Sequence, residues 1–208
     1  MFRNYQFCKC LLCNEFIQDE QTWVHLVKRE FPLSVCSSCK SSFEPIHTWI
    51  EDVYCLYAYN QSMKDYFHRF KFGKDLLLAN VFRNELRQNL LNISSGPQKE
   101  NIPIVPIPMH RHNIQLRTFC QVDELLKAAN LPYKHLLEKV TTTTQSSKNR
   151  EQRLNTKKLF EMKNKITLST IVLFDDIKTT GTTLKLAERE LKNAGVEKVV
   201  KVVLAAVL

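Results

Sequence analysis

The chain has 208 residues, 44% hydrophobic and 25% charged, and 30 Lys and Arg against 21 Asp and Glu give it a formal net charge of +9. That length holds one well-cored domain plus a small appendage, and that composition excludes a largely disordered chain. No stretch stays apolar for the roughly 18 residues of a membrane span, and residues 1–5 lack a basic then apolar leader, so a cytoplasmic protein is expected.

The positive charge suits either a polyanionic partner or an ordinary solvated surface, so the placement of the charges matters more than their sum. Glycine is scarce: the chain has 4, where average usage predicts roughly fifteen. Each one is therefore expected to meet a backbone need. Gly195 follows an amphipathic run as a helix cap and Gly96 sits in a loop, while Gly181 stands among hydroxyls.

Of 7 cysteines, four form two pairs, Cys10-Leu11-Leu12-Cys13 and Cys36-Ser37-Ser38-Cys39. This is the spacing of a zinc ribbon, in which four thiolates satisfy Zn²⁺ and the metal supplies folding energy that so short a segment lacks. A full thiolate set leaves no open position for a reacting water, so the expected role is structural or partner-binding. Cys8 is an alternative to Cys10 as ligand, with poorer knuckle spacing. Cys55 and Cys120 read as apolar filling. The composition changes after Pro45, which divides the chain into a zinc-ribbon-like domain over 1–48 and a larger domain over 49–208.

In the larger part, a strand is expected over 53–59, an amphipathic helix over 63–72 ending near Gly73, and a second helix over 76–91. A loop follows over 94–101, then a short buried strand over 102–107 with prolines near its ends. A helix over 121–130, a strand over 136–140, a strand over 171–174, a helix over 183–194 and a strand over 198–207 complete the pattern. Strands that alternate with helices and carry solid aliphatic runs predict an α/β fold with a parallel sheet buried on both faces.

The segment Ile171-Val172-Leu173-Phe174-Asp175-Asp176-Ile177-Lys178-Thr179-Thr180-Gly181-Thr182-Thr183 carries the chemistry. A buried strand runs into two acids, then hydroxyls around one glycine, then a helix. Unpaired amides at a helix start grip a phosphate, the threonines add donors, and Gly181 lets the main chain come close. Asp175 and Asp176 would repel a phosphate, so they suit ribose hydroxyls, or Mg²⁺ held through water. Asp175, Asp176, Thr179, Thr180, Gly181, Thr182 and Thr183 together describe a seat for a phosphorylated ribose such as phosphoribosyl pyrophosphate (PRPP).

This segment resembles the PRPP signature of type I phosphoribosyltransferases, with Lys178 where that family mostly carries an aliphatic or aromatic residue. The resemblance widens to the ComF (GntX-like) family of competence proteins, which joins a zinc ribbon to a phosphoribosyltransferase-like domain and covers nearly the whole chain. Its further matches are Phe70-Lys71-Phe72-Gly73-Lys74-Asp75, Ile104-Val105-Pro106-Ile107-Pro108 and Arg117-Thr118-Phe119-Cys120-Gln121. In the last of these, Thr118 and Cys120 replace the family's glycine and asparagine. Residues 144–153 resemble its flexible loop.

The larger part is thus expected to be a type I phosphoribosyltransferase-like domain. His110, Arg111 and Arg117 follow a strand end, where ligands of open α/β sheets gather, and suit pyrophosphate; Lys148, Arg150 and Arg153 suit a lid over the leaving group. Two functions are implied. One is a factor of natural transformation that handles incoming single-stranded DNA with a competence helicase and carries a PRPP-type ligand. The other is a phosphoribosyltransferase that passes ribose 5-phosphate to a base with Mg²⁺ on the pyrophosphate. For the first, the stripe Tyr66-Phe67-His68-Arg69-Phe70-Lys71-Phe72 either stacks bases or buries its rings as an amphipathic helix.

Overall fold

The computed structural model describes residues 9–17, 30–95, 102–140, 159–163 and 168–208. Cys8, Gly96, Lys148, Arg150 and Arg153 lie outside the described residues. In chain order the elements are α1 (Ser37–Ser41), β1 (Pro45–Ile50), β2 (Val53–Ala58), α2 (Gln61–Lys71), a 3-10 turn (Leu76–Asn80) and α3 (Arg83–Ser94). There follow β3 (Ile104–Pro106), α4 (Arg111–Arg117), α5 (Gln121–Ala128), β4 (Leu137–Lys139), β5 (Phe160–Met162), β6 (Thr170–Lys178), α6 (Thr182–Asn193) and β7 (Lys198–Ala206).

Five strands form one sheet in the order β1-β2-β7-β6-β3, parallel except for β1, which runs antiparallel to β2. The expected mixed α/β architecture with a mostly parallel sheet is thus observed. Ile171, Val172, Leu173 and Phe174 are all fully buried because helices cover both faces. On one face lie Met63, Tyr66, Phe67 and Phe70 of α2, Leu86 and Leu90 of α3, and Leu125 of α5. On the other lie Leu184, Ala187 and Leu191 of α6, with Leu137 and Phe160 from the small β4–β5 pair. Each Leu, Met and Phe among them contributes about 1.5–3 kcal/mol by burial.

The start and stop of α2 follow from its sequence. The Asn60 side chain accepts a hydrogen bond from the Met63 amide at 3.0 Å, capping the helix start. At the far end a Cβ on Gly73 would stand 2.6 Å from the Arg69 carbonyl oxygen, so only glycine fits there.

Four features depart from the sequence expectations. The helix over 76–91 breaks into the 3-10 turn and α3, and the Asn80 side chain donates back to the Leu77 carbonyl at 2.9 Å in competition with helix continuation. The strand at 136–140 shortens to β4 and leaves the main sheet to pair antiparallel with β5, because only Leu137 of its three residues is buried. The helix α4 occupies a stretch between the expected strand over 102–107 and helix over 121–130 for which no element was expected; none of its residues is buried, so no apolar period marked it. The strand expected to stop at Phe174 runs on to Lys178, paired to β7 as far as Ala206, so both acids lie inside β6.

The segment before β1 lies against α2 and α3. Asn84 brackets the backbone of Phe31, accepting from its N–H at 2.7 Å and donating to its carbonyl at 3.0 Å, and Ser34 donates to the Asn80 carbonyl at 2.8 Å. β1 crosses the 48/49 division and belongs to the main sheet. Among the described residues no helix is long and apolar enough to cross a membrane.

Candidate functional site

Two places gather chemistry. The first is the cysteine cluster. The turn after Cys10 and the start of α1 bring Cys10, Cys13, Cys36 and Cys39 together, all four sulfurs within 4.8 Å of one another, a group able to hold a metal ion. Cys13 and Cys36 sulfurs are 3.8 Å apart, and a tetrahedral Zn²⁺ with Zn–S near 2.3 Å requires S···S of about 3.8 Å. The Leu12 amide points at the Cys10 sulfur at 3.4 Å and the Cys39 amide at the Cys36 sulfur at 3.5 Å. Burial works against ionisation of Cys10, but the amides of Cys13, Cys36 and Leu12 outweigh it and bring the thiol down to about 7. Burial and the neighbouring thiols push Cys39 up, and Cys13 is raised as well, so it is the spacing of the four sulfurs that fits a closed thiolate site.

The second place is the carboxyl end of β3 and β6, where Asp175, His110, Arg117, Gln121, Lys139 and Thr183 line a cleft of about 160 Å³. This is where ligands of open parallel sheets collect. Gly181 opens α6 in the left-handed region, φ 72°, and has no side chain to cap it, while the Thr180 hydroxyl accepts from the Thr182 amide at 3.4 Å. The amides that follow Thr182 keep their donors and their share of the helix dipole for a ligand. A Cβ on Gly181 would meet no protein atom closer than Lys178 Cε at 3.4 Å, so within the chain itself it is the φ that calls for glycine. Thr183 lines the cleft, Thr179, Thr180 and Thr182 are exposed, and the Thr180 and Thr182 hydroxyls lie 2.9 Å apart.

The two acids are separated by the strand. Asp175 faces the cleft, its Oδ1 accepting from the Asp176 amide at 2.9 Å. Burial first, and the charge of Asp176 second, push its carboxyl well above the usual range. Asp176 is buried at 6% exposure, and its Oδ2 meets Lys71 Nζ at 2.6 Å and the Gln121 side-chain amide at 3.0 Å. Of the three expected pyrophosphate residues, His110 and Arg117 line the cleft, whereas Arg111 turns away to Glu138 at 2.5 Å. Lys178 packs its stem beneath Gly181 and points its ammonium toward Glu51 at 4.0 Å.

Sequence reasoning gives Lys71 and Gln121 no part in the phosphoribose site. The signal for Lys71 was a lysine between two phenylalanines, Phe70 and Phe72, too flanked by apolar residues to be a plain surface charge. The aromatic stripe around it resolves mostly into core: Tyr66, Phe67 and Phe70 are buried, and Phe72 is 64% exposed with Arg117 5.3 Å from its ring centroid.

Residues 128–208 match the family described as Phosphoribosyl transferase domain. The chain is 34% identical to the competence protein ComFC of Streptococcus pneumoniae (strain ATCC BAA-255 / R6), covering 92% of this chain and 96% of that one. It is 29% identical to the competence protein ComFC of Bacillus subtilis (strain 168), covering 89% of each. A solved structure described as the allosteric regulatory enzyme of purine biosynthesis overlays at TM-score 0.37 with 17% identity, across 62% of this chain and 26% of the other.

Proposed function

The chain belongs to the family of the competence protein ComFC, and from that premise we propose that it handles incoming single-stranded DNA during natural transformation, with a PRPP-type ligand held in the cleft at Asp175. In this role it works in the cytoplasm beside a competence helicase, with Zn²⁺ in the cluster of Cys10, Cys13, Cys36 and Cys39. The observation that carries the ligand assignment is the first turn of α6, opened by a left-handed glycine, bringing Thr183 into one cleft with Asp175, Arg117 and His110.

Each part of the cleft contributes different chemistry. The amides after Gly181 and the hydroxyl of Thr183 donate to a 5′-phosphate, with Thr179, Thr180 and Thr182 at hand in the same loop. Asp175 accepts from a ribose hydroxyl, which a carboxylate does and a phosphate seat cannot. Arg117 and His110 meet the pyrophosphate, with Mg²⁺ arriving on the ligand and offsetting its charge. Lys148, Arg150 and Arg153 remain proposed as the covering loop. Titration with PRPP and Mg²⁺ by calorimetry tests the assignment. Asp175→Asn is expected to weaken binding at least about tenfold, or about 1.4 kcal/mol; undiminished affinity overturns it.

A second reading, an active phosphoribosyltransferase, has one observation in its favour. A neighbouring cavity of about 320 Å³ shares Pro108, Met109 and Lys139 with the cleft and is walled by the Asp123–His135 pair, 3.2 Å apart. Its volume and its contact with the cleft support an acceptor seat there. Release of pyrophosphate from PRPP and Mg²⁺ with one of a panel of free bases would establish transfer; silence across the panel leaves the ligand as a regulatory or structural input.

A further inference from the structure

Two stretches distinguished in the sequence, Phe70-Lys71-Phe72-Gly73 and Arg117-Thr118-Phe119-Cys120-Gln121, contribute only Arg117 to the proposed ligand contacts, and both converge on Asp176. Lys71 approaches from α2, its Nζ 2.6 Å from Asp176 Oδ2, with the two side chains 13% and 8% exposed. Gln121 approaches from the first residue of α5. Its Nε2 donates to the same Asp176 oxygen at 3.0 Å, while its Oε1 accepts from Arg117 Nη1, also at 3.0 Å. A chain of contacts therefore runs Lys71–Asp176–Gln121–Arg117 along the wall of the cleft, and only its last two members line that cleft with Asp175.

We propose that Lys71 and Gln121 are positioning residues of this cleft: Lys71 cancels the charge of Asp176, and Gln121 holds the Arg117 guanidinium in place. The proposal rests on the cleft being the seat of the anionic ligand. Asp176 is thereby an internal anchor, and Asp175 is the one acid of the pair that meets the sugar. The electrostatic reason is direct. A polyphosphate entering beside Asp175 faces one carboxylate there and a second one residue away; low-dielectric surroundings make both costly, and a buried ammonium against the second removes half of that repulsion. The other groups that feel Asp176 are Asp175 on its own strand, which adds to the negative field, and the phenols of Tyr59 and Tyr66, which burial and Asp176 keep neutral and which therefore do not relieve it. Among the described residues Lys71 is its one ion-pair partner.

Gln121 does for geometry what Lys71 does for charge. Arg117 ends α4, whose C-cap Thr118 is left-handed at φ 71°, and its guanidinium meets the neutral side-chain amide of Gln121. That amide orients the guanidinium without neutralising it, so its charge stays free for the ligand.

The test uses the full chain, titrated with PRPP and Mg²⁺ by calorimetry. Lys71→Met, which strands the Asp176 charge, is expected to weaken binding about tenfold or more; Lys71→Met with Asp176→Asn is expected to recover to within about threefold of the native protein. Lys71→Arg keeps native affinity. Gln121→Leu is expected to weaken binding, and adding it to Arg117→Leu costs nothing beyond Arg117→Leu alone, because the two act as one unit. The double neutral variant also guards against a folding defect, since it carries no uncompensated buried charge. If it binds as poorly as Lys71→Met, or if Gln121→Leu and Arg117→Leu losses simply add, the positioning role is overturned. If the native protein binds no PRPP, the phosphoribosyl assignment itself falls and takes this one with it; native binding unchanged in every variant overturns this one alone.

Discussion

Asp175 and Asp176 are adjacent in sequence and differ completely in environment, because successive residues of a strand point to opposite faces. The sequence identified both as special, and on chemistry alone both suited a sugar. It could not divide them, since that depends on α2 and α5 delivering Lys71 and Gln121 to one face only. The division has a measurable consequence. The carboxyl of Asp175 is raised in the folded state above its unfolded value, so the stability it contributes is full below about pH 4 and is lost as pH rises through the folded value. Asp175→Asn removes that loss. Its melting temperature is therefore expected above the native one at pH 7.5, with the gap closing as the pH is lowered toward 4, while ligand affinity falls. A melting temperature below native at every pH would contradict this. Gly181 was legible as a backbone requirement, and its φ supplies one.

Elements were legible in proportion to how evenly they are buried. β6 and β7 announce themselves through unbroken aliphatic runs, and α2 and α6 through apolar residues three and four apart. β1 has no fully buried residue, α4 has none either, and β5 has three residues, so each carries too little pattern to be read. The cysteine pairs were readable from spacing alone, and their sulfurs do meet. Cys36→Ser with Cys39→Ser is expected to lose bound zinc by elemental analysis, while one retained equivalent would refute a zinc site. Loss of the metal should also destabilise the segment around α1, which has no buried residue to hold it. A second ion cluster, around a buried lysine, ties the β1–β2 turn and α6 to β7. Lys201 of β7, 2% exposed, pairs with Asp52 of the β1–β2 turn and with Glu188 of α6 at 2.5 Å. Both carboxylates are drawn below their usual values, Asp52 chiefly by its bond to Lys201 and Glu188, against its burial, by Lys192 and Lys201.

At the scale of the whole molecule, the formal charge of +9 is the feature that the DNA role must use. The basic and aromatic stripe of α2 offers little of it for stacking, since Tyr66, Phe67 and Phe70 serve the core. Binding by charge predicts steep salt dependence: a single strand touching about four phosphates should lose about fiftyfold in affinity between ~50 and ~200 mM salt. Fluorescence anisotropy of a labelled oligonucleotide measures this, and affinity indifferent to salt would argue against the role. The two margins of the central sheet have a different consequence. β1 is interrupted between Pro45 and Thr48, where His47 takes φ 41°, and β3 is three residues long, closes on Pro106, and has its Ile104 bridged by Tyr133. Among the described residues neither margin offers a long, flat row of free amides and carbonyls. Copies of this chain are thus poorly made to zip together strand on strand, which lets a charged, cleft-bearing molecule accumulate at its place of work without polymerising.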